Sequence, residues 1–345
     1  MANRQSQSCM RRATGAFLGK FARRGTGLVL AAAAACAGFM PAAHAAYPDK
    51  PIRLIIPYPP GGATDVIGRI VGQELGEAIG QTIVIENRGG AGGNIGAAEV
   101  ARAQPDGYTL LMGALTSHSV MATLEKGKLN YSLENDLTPV GIVGSVPLVA
   151  VVNPKLDVHS LDDLVKYAKA NPGKLNFASS GPGAPQRMAM ELFKQIAGVD
   201  IVHVAYRGSG PAMTDLVGGQ IELMTETLPA SIGFIKSGQL RPLAVLTDER
   251  VSQIPDVPTA KEQGLTGFNV SSLFGVMAPA GTPPEIVQQL NAALVKAMTP
   301  QAVKDRMLEQ GVYANPLDVP GSKQRLTEEV RLWEKVIQDG NISVN

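Results

Sequence analysis

"IIPYPPGGATD" occupies residues 55–65. An isoleucine run breaks on Pro57, Pro59, Pro60 and the pair Gly61–Gly62, and beyond it Val66, Ile67, Ile70, Val71, Leu75 and Ile79 recur at helical spacing. A strand therefore ends here, the chain turns on glycine, and a helix starts near Thr64 or Asp65. Such a start leaves backbone N–H groups without carbonyl partners, and with the helix dipole behind them they favour an anion. A nucleotide-phosphate loop would need a Lys-Ser/Thr pair after the glycines, and none stands there.

The same device recurs three times. "NRGGAGGNIGAAEVARA" (87–103) lacks the glycine at Ile95 that a dinucleotide fingerprint requires. "FASSGPGAPQRMAMELF" (177–193) adds Ser179, Ser180 and Arg187, and "VAYRGSGPAM" (204–213) adds Tyr206, Arg207 and Ser209. One glycine turn is equally a plain strand-to-helix connection. Four together are what a ligand cleft at the carboxyl ends of parallel strands requires.

Short Ile/Val/Leu runs alternate with amphipathic stretches along the rest of the chain, the pattern of an α/β protein with mostly parallel sheets covered by helices on both faces. The strand candidates are "IRLII", "TIVIE", "YTLLM", "PLVAVV", "LNFAS", "IVHVA", "IELMT", "PLAVL" and "FGVMA". Helical spacing also links Met188, Ala189, Leu192, Phe193 and Ile196, then Ile286, Leu290, Ala293 and Leu294, and finally Leu326, Val330, Trp333 and Ile337. Thr282 and Glu285 form an expected capping box before the second of these, and Ser160 an expected cap with Asp162 and Asp163 as dipole partners. Two long apolar stretches, 141–154 and 271–281, are expected to cross between lobes. The expected organisation is a leader at 1–45, a first lobe from 46–145 and 273–345, and a second lobe from 146–272, hinged to close on a ligand.

Residues 1–45 hold Arg4, Arg11, Arg12, Lys20, Arg23 and Arg24 and no acid, followed by an apolar run from Leu28 to Met40 and "AHA". That run is shorter than the roughly 20 residues a bilayer core needs. It is a secretory signal with cleavage expected after Ala45, and Sec and twin-arginine export both remain open. Without these six bases the net charge changes from +1 to −5, and no basic face is available for nucleic acid. Both cysteines, Cys9 and Cys36, fall in the leader; Cys36 follows Ala33, Ala34 and Ala35, not a leucine-led lipid-attachment motif. No disulfide, thiolate chemistry, metal site or cofactor is expected in the exported chain.

Catalytic constellations are missing: G-x-S-x-G and H-E-x-x-H do not occur, and His118, His159 and His203 are scattered. His203 is expected as a satisfied core residue, and His118 is placed at a strand end within reach of a ligand. Glu226 is either a solvated acid or a ligand contact.

The series "YPDKPIRLIIPYPPGGATD", "ENRGGAGGNIGA", "PDGYTLL", "DLTPVGIV", "NFASSGPG", "HVAYRGSGPAMTDLVGGQIELM", "IPDVPTAKEQG" and "FGVMAPAGTP" closely resembles the periplasmic solute-binding receptors of tripartite tricarboxylate transporters, the Bug-type proteins. The resemblance implies a two-lobed type II periplasmic binding fold that captures a small mono- or dicarboxylate, aliphatic or aromatic, without catalysis. It implies delivery to integral membrane transporter subunits by a monomer in the periplasm. By the same resemblance Tyr58, Gly62 and Thr64 meet one carboxylate, the turn at Gly92, Gly93 and Asn94 supports that loop, and Thr116 and Ser117 reach in from the third strand. Ser179, Ser180, Gly183, Ala184, Tyr206 and Glu226 face the ligand from the second lobe. Two positions depart from the family pattern. Arg187 replaces a common histidine and could clamp a second carboxylate, while Glu226 replaces an aspartate suited to ligands with an amino group. Two other classes stay open: an exported enzyme acting on an organic acid, and a ligand-sensing module for a membrane kinase.

Overall fold

The computed structural model describes residues 47–344. The signal segment, both cysteines and the cleavage position expected at 1–45 lie outside the described residues.

The first half begins with β1 (Ile52–Ile56), α1 (Ala63–Ile79), β2 (Ile83–Asn87), α2 (Asn94–Ala101), β3 (Thr109–Ala114) and α3 (Leu115–Leu124). The long β4 (Leu137–Val152) leads into α4 (Leu161–Ala170), β5 (Asn176–Ser179), α5 (Pro185–Ala197), β6 (Val202–Ala205), α6 (Ser209–Gly218), β7 (Leu223–Thr227), α7 (Leu228–Lys236) and β8 (Arg241–Val245). The chain returns through β9 (Ser271–Pro279) and ends with α8 (Pro284–Met298), α9 (Gln301–Glu309), β10 (Tyr313–Ala314) and α10 (Val319–Asp339).

β1 pairs in parallel with β2 and β3, and β5 in parallel with β6 and β7. The crossing strands run against both triplets: β9 is antiparallel to β3 and β4, and β4 is antiparallel to β7 and β8. The result is a mixed sheet in the order β2-β1-β3-β9-β4-β7-β5-β6, with β8 and β10 also on β4. β4 is shared by the two halves. Its residues Leu137 to Pro147 pair with β9, and Leu148 to Val152 pair with β7. Pro147 sits where the ladder changes partner, a place that tolerates a residue without an N–H.

The apolar runs are continuous because both faces of the sheet are covered. Leu54 and Ile56 pack with Ile67, Val71 and Leu75 of α1, whereas Ile55 packs with Ala97, Val100 and Leu111 on the other side. Each fully buried side chain of this kind contributes about 1.5–3 kcal/mol. In the second half Phe177, Met188, Leu192 and Phe193 form the core of one face, and Val149, Val151, Ala212 and Leu216 the other. α10 touches both halves: Leu326 and Val330 join the cluster of Ile55, and Trp333, Val336 and Ile337 join that of Phe177.

Two helix starts separate expectation from outcome. Ser160 caps α4, its Oγ accepting from Asp163 N at 3.0 Å. The expected capping box of Thr282 and Glu285 does not form. Pro283 is the residue before α8 and no side chain caps it, while the buried Thr282 hydroxyl donates to Pro279 O at 2.8 Å. Consecutive prolines set the entry into that helix by backbone geometry alone.

Candidate functional site

At the opening turn, Gly62 precedes α1 in extended conformation. The amides of Gly62, Ala63 and Thr64 have no carbonyl one turn back. Gly61 differs from expectation: its N–H donates to Asp65 Oδ2 at 2.9 Å, so this donor is already taken. Asp65 also accepts from Arg69 Nε and Nη2 and from Asn87 Nδ2 (2.8 Å). Burial alone would raise its pKa, but these bonds hold it down to about 2. A permanently charged Asp65 thereby pins the start of the helix to β2.

Tyr58 follows β1 and reaches the second glycine turn, donating to Gly92 O at 3.3 Å. Burial pushes its phenol up to about 12, with Ser117 as a hydrogen-bond neighbour, so it stays a donor at any physiological pH. Gly93 is required here: φ is +98°, and a Cβ would lie 2.9 Å from Tyr58 Cζ. Asn94 lies behind this turn. Its Oδ1 accepts from Tyr131 Oη (3.1 Å) and its Nδ2 donates to Glu125 Oε2 (3.3 Å).

α3 was not foreseen as a helix, and it carries much of the site. Ser117, Met121 and Glu125 follow one another at intervals of four, on one face. Thr116 points elsewhere: it donates to Glu329 Oε1 at 2.6 Å and accepts from Leu273 N at 3.1 Å. His118 is fully buried, with Nδ1 3.4 Å from Tyr131 Oη and Nε2 unpartnered, and burial lowers its pKa to about 4.

From the second half, the loop after β5 supplies Ser180 to Ala184. Gly183 sits against Met121 of α3 so closely that a Cβ there would collide with the sulfur. Arg187 stands behind the loop, 5% exposed, with Nη1 donating to Pro182 O at 3.4 Å and Nε unpartnered. Ser179 is occupied by His203, Oγ to Nε2 2.7 Å, and the His203 ring stacks on Phe177. Tyr206 donates to Asp215 Oδ2 at 2.7 Å. Glu226 is fully buried, not solvated: Oε1 accepts from Gln186 Nε2 (2.8 Å) and Thr227 N (2.6 Å), while Oε2 has no partner.

These loops enclose a cavity of about 390 Å³ lined from both halves. Among the expected site residues, Tyr58, Ser117, Ser180, Gly183 and Ala184 line it. Gly62, Thr64, Gly93, Asn94, Thr116, Ser179, Arg187, Tyr206 and Glu226 do not. Gly92, expected only as support for the loop, lines the wall directly, and Ala91, Met121, Glu125, Gly181, Pro182 and Val344 also line it and were missed. For Met121 and Glu125 a signal existed: they lie four and eight residues beyond Ser117. Among the described residues no group of three or more His, Cys, Asp or Glu side chains could hold a metal ion, and no helix is long and apolar enough to cross a membrane.

Comparison with known proteins agrees with this architecture. Residues 67–342 match the profile of the tripartite tricarboxylate transporter family receptor. Protein BugT of Bordetella pertussis is 40% identical over 296 residues, covering 85% of this chain and 90% of its own. The R. palustris protein Rpa4515, solved with adipate, superposes with a TM-score of 0.74 at 34% identity, covering 86% of this chain and 99% of its own. MatC (Rpa3494) of Rhodopseudomonas palustris, solved with bound malate, gives a TM-score of 0.69 at 33% identity, with 84% and 100% covered. With the two-lobed α/β fold, the glycine turns and a family match over most of its length, the chain belongs to the tripartite tricarboxylate transporter receptor family.

Proposed function

We propose that this protein is a periplasmic receptor, not an enzyme, that captures a small carboxylate between its halves and presents the closed form to integral membrane subunits of a tripartite tricarboxylate transporter. The observation that carries this reading is the cavity bounded by Tyr58, Gly92 and Ser117 on one side and Ser180 to Ala184 on the other. It offers hydroxyls and glycine-turn backbone, the equipment for holding a carboxylate by hydrogen bonds. The ligands of the two Rhodopseudomonas relatives, adipate and malate, support the same class. Tyr58, Ser117, Ser180, Gly183 and Ala184 make the contacts. Of the other nine expected residues, Gly93, Asn94 and Arg187 support the cavity loops from behind. The lobes are 46–145 with 273–345 and 146–272, and a ligand touching both favours the closed state.

The test is isothermal calorimetry of the exported chain, as a monomer, against a panel of organic acids. Expected is a 1:1 complex of roughly micromolar Kd, about −8 kcal/mol, with the acid recovered unchanged. Failure of every acid to bind, or its chemical conversion, refutes the proposal. Ligand-dependent co-purification with a membrane kinase in place of transporter subunits would assign a sensory role.

A further inference from the structure

Among the described residues the cavity wall carries no Lys, Arg or His side chain, and one side-chain carboxylate, Glu125. Arg187, the residue that could have clamped a second carboxylate, is buried behind Pro182 and does not line the space. Glu226, the other acid considered for a ligand amino group, is enclosed by Gln186 and Thr227. Glu125 is the C-cap residue of α3, with its backbone N–H bonded to Met121 O. An acid at a helix C-terminus is opposed by the helix dipole, so local helix stability does not account for it. Its carboxylate accepts from the neutral amide of Asn94, not from a cation.

The wall therefore has a polarity. Ser117, with Tyr58 and Gly92 beside it, brings hydroxyls and glycine-turn backbone to one end, Met121 follows as an apolar stem, and Glu125 closes the row. Eight residues of helix separate Ser117 from Glu125, about 12 Å along the axis. Glu125 is the residue after the last helical turn and its side chain, like that of Ser117, lies on the cavity wall, so the reach of both side chains shortens the distance a ligand must span. An acid of about six carbons can then touch both ends.

Resting on the carboxylate reading above, we propose that the preferred ligand is an amino-carboxylate: its carboxylate is held by the glycine-turn donors and its ammonium group by Glu125. A dicarboxylate of equal length would set its second negative charge against Glu125, with no cationic side chain among the described residues of the wall to offset it.

Calorimetry with hexanoate, 6-aminohexanoate and adipate tests this, since the three share a chain and differ in the far end. Expected is the order 6-aminohexanoate, hexanoate, adipate, with adipate at least about tenfold weaker than the amino acid (~1.4 kcal/mol). Glu125→Gln, at a half-exposed position, should erase the preference for ammonium over methyl and strengthen adipate. Adipate binding as tightly as 6-aminohexanoate, or an unchanged ratio in Glu125→Gln, overturns the inference while leaving the carboxylate receptor intact. No binding by any acid of the wider panel overturns both.

Discussion

Replacing Gly93 by alanine, with Gly92→Ala as its control, probes the most crowded point of the site. At Gly93 φ is +98°, and a Cβ would stand 2.9 Å from Tyr58 Cζ and Oη and 3.1 Å from His118 Cε1. At Gly92 φ is +64°, and a Cβ would meet nothing within 4 Å. Both alanines bear the left-handed backbone cost, roughly 1–2 kcal/mol. Only Gly93→Ala must also displace packed rings, and overpacking of that kind costs typically another 1–3 kcal/mol. The expected losses are about 2–5 kcal/mol for Gly93→Ala and about 1–2 for Gly92→Ala, measured as urea midpoints with an unchanged m-value. Gly93→Ala should also weaken binding although Gly93 does not itself line the cavity. Moving the Tyr58 hydroxyl forfeits a hydrogen bond to a charged group, ~1.5–3 kcal/mol, or about 10- to 100-fold in Kd. Equal destabilisation of the two variants would refute the crowding argument. A stable Gly93→Ala that binds like the parent would remove Tyr58 from the contacts.

Other outcomes follow from the buried charges. Asp65 is held at about 2 despite burial by Arg69, Gly61 and Asn87, so it contributes roughly 2 kcal/mol above about pH 4 that is lost as pH falls toward 2. Asp65→Asn should lower the urea midpoint at pH 7 and match the parent near pH 2; a constant gap at both pH values would contradict this. His118 and His203 are both lowered to about 4, by burial and, at His203, further by Arg187 and Lys194. The unfolded imidazoles titrate near 6.5, so between pH 6.5 and 4 the unfolded chain binds more protons and stability declines as pH drops. Thermal melts should register that slope, with His203→Gln reducing it by about half. Glu329 is 1% exposed and accepts from Thr116, Trp333 and Arg325. Glu329→Ala strands these donors and should cost about 3 kcal/mol, more than Glu329→Gln; equal melting of the two would argue against the network.

What could be read in advance depended on whether one physical effect dominated locally. β1 and α1 were legible because the apolar run, the glycine pair and the helical spacing agree within one stretch. α3 was not, because Thr116, His118 and Ser119 are buried polar residues on the same short helix as Leu115 and Val120. That mixture erases the apolar stripe, and with the helix went Met121 and Glu125. Thr282 looked like a cap because its spacing to Glu285 fits the motif, yet a buried hydroxyl close to Pro279 O bonds there instead. Glu226 and Arg187 were recognisable as unusual residues, but their enclosure depends on Gln186 of α5 and on Pro182 in the loop after β5. The direction of β4 and β9 against their neighbours is a tertiary fact that apolar pattern does not encode.

α10 gives the molecule a mechanical property that its two connecting strands alone would not. One continuous rod packed into both cores acts as a strut beside the crossing strands. Its early turns hold Leu326 and Val330 among first-half residues, its later turns hold Trp333 and Ile337 among second-half residues, and Glu329 fastens the middle to the helix that walls the cavity. A swing of one half against the other would have to carry this rod along, part it from one of the two cores, or bend it.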